Sequence, residues 1–171
     1  MAVYTKLTKE DLEEILFNYS IGDLKEFKGI EEGIENTNYS LFIDNKKYIL
    51  TIYEKRVKEK DLPFFSTLMT SLNKAGFKCP IPIESNNKKT IIRYKNKNLM
   101  IVSFLEGTAK NILTPDDCKS IGQEVARMHE ITKNFKIQRG NNLSIGSWRN
   151  IFDQVKDRCV QIHKDLPLLI E

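Results

Sequence analysis

Three short runs of alternating apolar and polar residues lie close together in residues 27–54 of this 171-residue chain. A segment containing Gly33 and Asn36 joins the first two runs, and a short Asp-Asn turn joins the last two. Alternation with a period of two is typical of a strand with one buried face. The runs are also rich in β-branched and aromatic residues. They therefore predict three consecutive antiparallel strands, and one face of that sheet must be covered by another element.

Helix signals lie on both sides of these strands. Thr8, followed three residues later by Asp11, has the form of a capping box and predicts a helix over residues 9–19. Pro63 near a first turn and Gly76 after a last turn predict a second helix.

The rest of the chain predicts one more hairpin, over residues 90–105, and then helices only. Thr114 is a candidate N-cap of the next helix, and a final helix is predicted over residues 148–164. Strands and helices that are segregated along the chain are typical of the α+β class. The expected fold is a five-stranded antiparallel sheet with a helix, followed by the first helices of a helical lobe.

The connection between the first two strands carries the clearest chemistry. Gly33 allows a positive φ, and Asn36 and Thr37 can bond to local backbone groups and brace a turn. Oriented backbone N–H groups in such a loop bind phosphate oxygens. Glu31 and Glu32 repel anions unless they point away or meet a cation, and two glycines in a hairpin are more often structural. The loop alone leaves both interpretations open.

The charged run after the third strand, residues 54–61, also has two interpretations. It is either a solvated loop or a segment that brings Lys55 or Arg56 to a phosphate group.

Composition narrows the class of function. The net charge is +4, and the lysines are scattered among Asn and Glu residues instead of forming one basic block. This distribution favours an anion-handling enzyme over a nucleic-acid-binding protein. Cys79, Cys118 and Cys159 match no zinc spacing and are typical of a reducing cytosol. No apolar run approaches the roughly 20 residues that span a bilayer, and the sequence does not determine an oligomeric state.

Short strings along essentially the whole chain resemble the homoserine kinases of the aminoglycoside phosphotransferase, protein-kinase-like superfamily. The strings lie at residues 1–5, 27–30, 32–36, 48–51, 53–56, 61–65, 104–107 and 122–129. The resemblance implies a nucleotide-binding lobe at residues 1–104, and a hinge with the beginning of an incomplete helical lobe at residues 105–171.

The resemblance also implies transfer of the ATP γ-phosphoryl group to the hydroxyl of homoserine, with Mg²⁺, in cytoplasmic threonine biosynthesis. The expected partner is this small molecule, with no nucleic acid and no membrane. Nucleotide binding is then expected at Gly33, Asn36, Thr37, Thr51, Lys55, Arg56, Phe104, Leu105 and Glu106.

Two departures from the superfamily pattern matter. The usual strand-three Lys falls on Thr51, and residues 62–83 contain no acid that could serve as its helix partner. The absence of the Lys and the absence of the Glu are consistent with each other, because either charge buried without its partner would destabilise the fold. Lys55 or Arg56 remains as a phosphate ligand.

The second departure concerns the catalytic loop. No His-Gly-Asp or His-Ala-Asp string occurs, so no catalytic residue or metal ligand is assigned, and these are expected beyond Glu171. The chain is expected to be an N-terminal portion that is inactive alone. Two alternatives stay open: a related phosphotransferase acting on choline, methylthioribose or an aminoglycoside, or a non-catalytic nucleotide-binding remnant.

Overall fold

The computed structural model describes residues 3–54 and 57–170. The strands are β1 (Leu24–Ile30), β2 (Thr37–Ile43), β3 (Lys46–Ile52), β4 (Ile92–Tyr94) and β5 (Lys97–Ser103). The helices are α1 (Lys9–Leu16), α2 (Leu62–Lys74), α3 (Pro115–Thr132), α4 (Ile145–Asp153), α5 (Lys156–Cys159) and α6 (Leu166–Ile170). The chain forms two compact units, Met1–Ile137 and Gln138–Glu171.

The strands form one five-stranded sheet in the order β1-β2-β3-β5-β4. Every pairing in it is antiparallel. The predicted α+β class and the predicted five-stranded sheet are therefore confirmed.

The core lies between α1 and one face of the sheet. Alternate residues of β2 are buried, and Leu41 has no exposed surface. Leu12 and Ile15 of α1 are equally buried and belong to the same apolar cluster. Full burial of one such side chain contributes about 1.5–3 kcal/mol. Because α1 and the core cover this face of the sheet, the opposite face is the one that a ligand can reach.

Capping sets the start of the helices as the sequence predicts. The Thr8 hydroxyl accepts from the Asp11 backbone N–H at 3.2 Å, and the Asp11 carboxylate accepts from the Thr8 N–H at 2.9 Å. Thr114 makes the same reciprocal box at α3. Gly76, just after α2, has a φ of +73°, which suits a glycine that ends a helix.

The first unit continues past the sheet into α3. Arg127 of this helix donates to the backbone oxygen of Gly76 at 2.8 Å and lies over the ring of Phe77. These contacts hold α3 against the C-terminal end of α2. The sequence predicted a boundary between two lobes after residue 104, at the hinge. That boundary stays a prediction.

The prediction of one continuous helix over residues 148–164 is wrong. The second unit has α4 and α5 there, separated at Gln154 and Val155. Val155 has φ −123° and ψ −3°, outside helical geometry, and β-branched residues such as Val have a lower helix propensity. Phe152 and Cys159 are buried on either side of the break. Packing of these two side chains therefore does not require an unbroken helix.

Across the described ranges, every helix is too short or too polar to cross a membrane.

Candidate functional site

The second face of the sheet, turned away from the α1 core, carries side chains in rows across the strands. The row beside the glycine-containing loop is Ile30, Asn38, Thr51 and Met100. The next row is Lys28, Ser40, Ile49 and Val102. The row farthest from the loop is Glu26, Phe42 and Lys47.

A shallow groove runs along β1 and β2 on this second face. One part, of about 470 Å³, is lined near the loop by Ile30, Glu31 and Glu32. The other part, of about 290 Å³, extends to Phe42 and Lys47. Lys28 and Ser40 line both parts. The groove therefore follows the strand direction from the loop towards the opposite end of the sheet.

The loop between β1 and β2 depends on its glycine. Gly33 has a φ of +106°, a region that L side chains rarely adopt. Asn36 braces the end of the loop, because its side-chain oxygen accepts from the Glu54 backbone N–H at 3.3 Å. Both residues therefore have the local roles predicted for them, while direct contact with a nucleotide stays a prediction.

Thr37 lies at the base of the loop with its side chain on the core side of β2. It is fully buried, and its hydroxyl accepts from the backbone N–H groups of Tyr4 and Thr5, each at 3.0 Å. The same hydroxyl donates to Glu54 Oε1 at 2.8 Å. Since a hydroxyl has one donor and two acceptor positions, all of them are used. Thr37 can thus serve a ligand through the position of the loop; its predicted ligand contact has no direct test.

Thr51 lies on the second face, at the position predicted for the strand-three Lys. Its hydroxyl donates to the side-chain oxygen of Asn38 at 2.8 Å. The helix that follows, Leu62–Lys74, contains no acidic residue. The hydrogen-bonded pair of Thr51 and Asn38 is neutral, whereas kinase-like lobes usually have a Lys–Glu ion pair at this strand position.

Lys55 and Arg56 lie outside the described residues, so their predicted contact with phosphate stays a prediction. Tyr53, two residues before Lys55, has a pKa that burial raises to about 12. Its phenol is therefore neutral at physiological pH.

The predicted hinge lies at the end of the sheet away from the loop. The Phe104 backbone N–H donates to the Lys47 oxygen at 3.2 Å, and the Lys47 Nζ is 5.3 Å from the centroid of the Phe104 ring. Leu105 and Glu106 are exposed. Their backbone groups have no hydrogen-bond partner among the described residues, so they can pair with the edge of a ligand.

Loop and hinge are at opposite ends of one groove-bearing sheet. In β3 the residue beside the loop is Ile52 and the residue paired with the last position of β5 is Tyr48. Four residue steps at about 3.3 Å separate them, or roughly 13 Å. Among the described residues of the predicted site, Gly33, Asn36, Thr37 and Thr51 lie at the loop end of the sheet, and Phe104, Leu105 and Glu106 follow β5 at the other end.

Sequence reasoning missed the apolar side chains that line this face between loop and hinge. Ile30 and Ile49 are half-buried, and Met100 and Val102 are buried. The strand alternation contained the signal, since these residues alternate with the core positions. Their pairing across β3 and β5 depends on register, which the sequence did not specify.

A model of the phosphotransferase enzyme family matches residues 26–161, most of the chain. The chain belongs to the phosphotransferase enzyme family. Several curated relatives of the chain are homoserine kinases. The homoserine kinase of Paramagnetospirillum magneticum is 42% identical over 171 residues, 100% of this chain and 52% of that protein. The homoserine kinase of Beijerinckia indica is 40% identical over 159 residues, 93% of this chain and 50% of that protein.

Solved structures of the phosphotransferase fold superpose on the chain. Spectinomycin phosphotransferase APH(9)-Ia, crystallised with ADP and spectinomycin, has a TM-score of 0.62 and 19% identity, covering 90% of this chain and 48% of its own. A microcompartment-associated aminopropanol kinase has a TM-score of 0.64 and 13% identity, covering 83% and 48%. These neighbours establish the fold. The chain spans about half the length of the curated relatives it matches.

Phosphotransferases of this fold use a His-x-Asp loop followed by an Asn. One such string occurs here, His163-Lys164-Asp165, in the turn before α6. The position five residues after Asp165 is Ile170, which has no metal-binding oxygen in its side chain. The string therefore does not supply the set of groups that this chemistry requires.

The metal ligands of the phosphotransferase family are also not assembled here. Among residues 3–54 and 57–170, no group of three or more His, Cys, Asp or Glu side chains could hold a metal ion. The described residues therefore do not supply a cluster of three protein ligands for a metal ion.

Proposed function

We propose that this chain is the nucleotide-binding half of an enzyme that phosphorylates the hydroxyl of L-homoserine with ATP, giving O-phosphohomoserine. The 42% identity to a homoserine kinase over all 171 residues is the observation that carries the proposal. The family match supports phosphoryl transfer, and the substrate is inferred from the relatives that bear this name.

The groove suits the base of a nucleotide at its hinge end. Ile49 is half-buried on the groove-bearing face, next to the buried Val102, and its exposed part offers an apolar surface that a flat aromatic ring can cover. The exposed backbone groups of Leu105 and Glu106 are placed at the same end of the sheet, where N–H and C=O groups can pair with an adenine edge. In this arrangement the apolar surface gives affinity and the hinge gives orientation.

The loop end of the groove suits the phosphates. Gly33 keeps the backbone free of a side chain where an anion would approach. Glu31 and Glu32 also line this end together with one cation, Lys28, so further positive charge is needed to offset the two carboxylates and the phosphates. Lys55 or Arg56 supplies that charge in the proposal. Catalysis of phosphoryl transfer depends on such positioning and charge stabilisation.

Magnesium would neutralise charge on the phosphates in an enzyme of this family. In the proposal, its ligands and the catalytic Asp belong to the half of the relatives' length that this chain does not span. The enzyme would act in threonine biosynthesis in the cytoplasm, on a small-molecule substrate.

Calorimetric titration of ADP and ATP into the purified chain tests the nucleotide half of the proposal. We expect saturable binding, weakened by Ile49→Ala and unaffected by Ile121→Ala, which changes a half-exposed residue of α3. Absence of binding at millimolar nucleotide would overturn this part.

Reading the gene past codon 171 tests the enzyme half. A frame that continues into a His-x-Asp loop with a following Asn supports it, and a stop codon there favours a nucleotide-binding remnant. ADP release by that longer product with homoserine, choline, methylthioribose or an aminoglycoside then identifies the alcohol. Turnover of another alcohol in preference to homoserine would contradict the proposed substrate.

A further inference from the structure

One carboxylate joins three separate segments of the chain below the glycine-containing loop. Glu54 Oε1 accepts hydrogen bonds from the hydroxyls of Thr5, at 2.6 Å, and Thr37, at 2.8 Å. Glu54 Oε2 forms an ion pair with Lys97. The Lys97 ammonium also donates to the Thr5 hydroxyl at 2.6 Å. The Glu54 side chain is only 11% exposed, so this charge depends on its partners.

The same residue also holds the loop through its backbone. The Glu54 N–H donates to the side-chain oxygen of Asn36, the last residue of the loop. Its carboxylate accepts from Thr37, the first residue of β2. Two consecutive residues at the base of the loop are thereby fixed to Glu54, one by its main chain and one by its side chain.

The contacts of the Glu54 carboxylate lie behind the sheet, on the α1 side. Thr37 pairs with Ile52, and both are buried in the direction of the core. The groove is lined by the opposite face of β1 and β2. The Glu54 carboxylate therefore does not face a ligand in the groove, and any effect it has on a ligand must pass through the loop.

A second ion pair on the α1 side provides a comparison. Asp11 pairs with Lys95 and accepts from the Tyr94 hydroxyl at 2.8 Å. It joins α1 to the β4–β5 turn, and the partners described for its carboxylate, Thr8, Tyr94 and Lys95, all lie outside the loop. Both ion pairs join a carboxylate to a lysine, but only the Glu54–Lys97 pair is connected to the loop.

We propose that Glu54, with Lys97 as its counterion, is a positioning residue that keeps the glycine-containing loop in the conformation that binds the nucleotide phosphates. The inference rests on the proposed nucleotide site. The partners of this carboxylate come from the N-terminal segment, the base of the loop and β5. It can therefore fix the loop without approaching the phosphates. That arrangement avoids placing a further negative charge beside phosphate.

The test measures ADP affinity by calorimetry in Glu54→Gln, Lys97→Met and the matched control Asp11→Asn. We expect Glu54→Gln and Lys97→Met each to weaken ADP binding about tenfold, which is about 1.4 kcal/mol. Asp11→Asn should leave the affinity unchanged, although it also removes an ion pair. Lys97→Arg, which keeps the charge, should restore most of the affinity lost in Lys97→Met.

Hydrogen exchange of the loop amides separates positioning from general stability. Protection of residues 31–36 should fall in Glu54→Gln and stay unchanged in Asp11→Asn. If Glu54→Gln does not fold, Thr5→Val, which removes one hydrogen bond to the carboxylate, is measured in its place.

Wild-type protein that does not bind ADP would overturn the proposed nucleotide site itself. Wild-type protein that binds ADP, with Glu54→Gln and Asp11→Asn equal in affinity, would overturn only the positioning role.

Discussion

The hydroxyl of Thr51 in β3 donates to the side-chain oxygen of Asn38 in β2 at 2.8 Å, across the face of the sheet that bears the groove. Neither residue carries a charge, and α2 offers no acid to this face. The loop end of this face thus has a neutral pair where most kinase-like lobes have an ion pair.

Replacing Thr51 with Val should destabilise the protein by about 1 kcal/mol, because Asn38 loses a donor while the shape is kept. The midpoint of urea unfolding measures this change. Thr51→Ser retains the hydroxyl and serves as the control. If Thr51→Val unfolds at the wild-type midpoint, the hydrogen bond contributes nothing to stability.

Gly33 and Gly122 should respond in opposite ways to replacement by Ala. At Gly33, with its positive φ, Ala should cost about 1–3 kcal/mol and weaken ADP binding. Gly122 lies inside α3 with open space around its Cα, so Ala should stabilise the helix by roughly 0.5–1 kcal/mol. Thermal unfolding of both variants and ADP titration of Gly33→Ala measure these effects. If Ala changes the free energy of unfolding in the same direction at both positions, the backbone roles assigned to the two glycines are wrong.

The Glu54 network should make stability depend on pH in the acid range. Burial raises the pKa of Glu54, but hydrogen bonds from Lys97, Thr5 and Thr37 outweigh it and hold the pKa below its ordinary value of 4.5. Because the unfolded chain takes up this proton first, the stabilisation is complete above that value and is lost as the pH falls through the folded pKa. Unfolding midpoints at pH 7 and pH 3.5 should therefore differ less in Glu54→Gln than in the wild type. An identical difference in the two proteins would refute the assignment.

Ile49 should contribute to nucleotide affinity without being essential for folding. It is half-buried on the groove face, between Ser40 and Val102. We expect Ile49→Ala to weaken ADP binding roughly fivefold to tenfold, since it removes about 1 kcal/mol or more of apolar contact. Calorimetry at constant salt measures the change. Unaltered affinity in a folded Ile49→Ala protein would place the base elsewhere.

Local signals predicted much of the fold. Thr8 is predicted as an N-cap from a capping box and Thr114 from the residues that follow it, and both threonines cap their helices. The break at Val155 was missed, because the apolar spacing of Phe152 and Cys159 suits a continuous helix equally well.

The site was less predictable, for a physical reason. The partners of Glu54 come from positions as distant as Thr5 and Lys97. No local pattern indicates that these side chains meet. The direction of the Thr37 side chain likewise follows from register, which a one-residue shift would reverse.

The carboxylate that supports the loop and the side chains that line the groove lie on opposite sides of a single sheet. If the groove binds a nucleotide as proposed, a change among the groove residues alters which purine is preferred and leaves the anchoring of the turn intact. A change behind the sheet can loosen that turn for every nucleotide alike. Selectivity and rigidity can therefore be varied independently in engineered forms of this lobe.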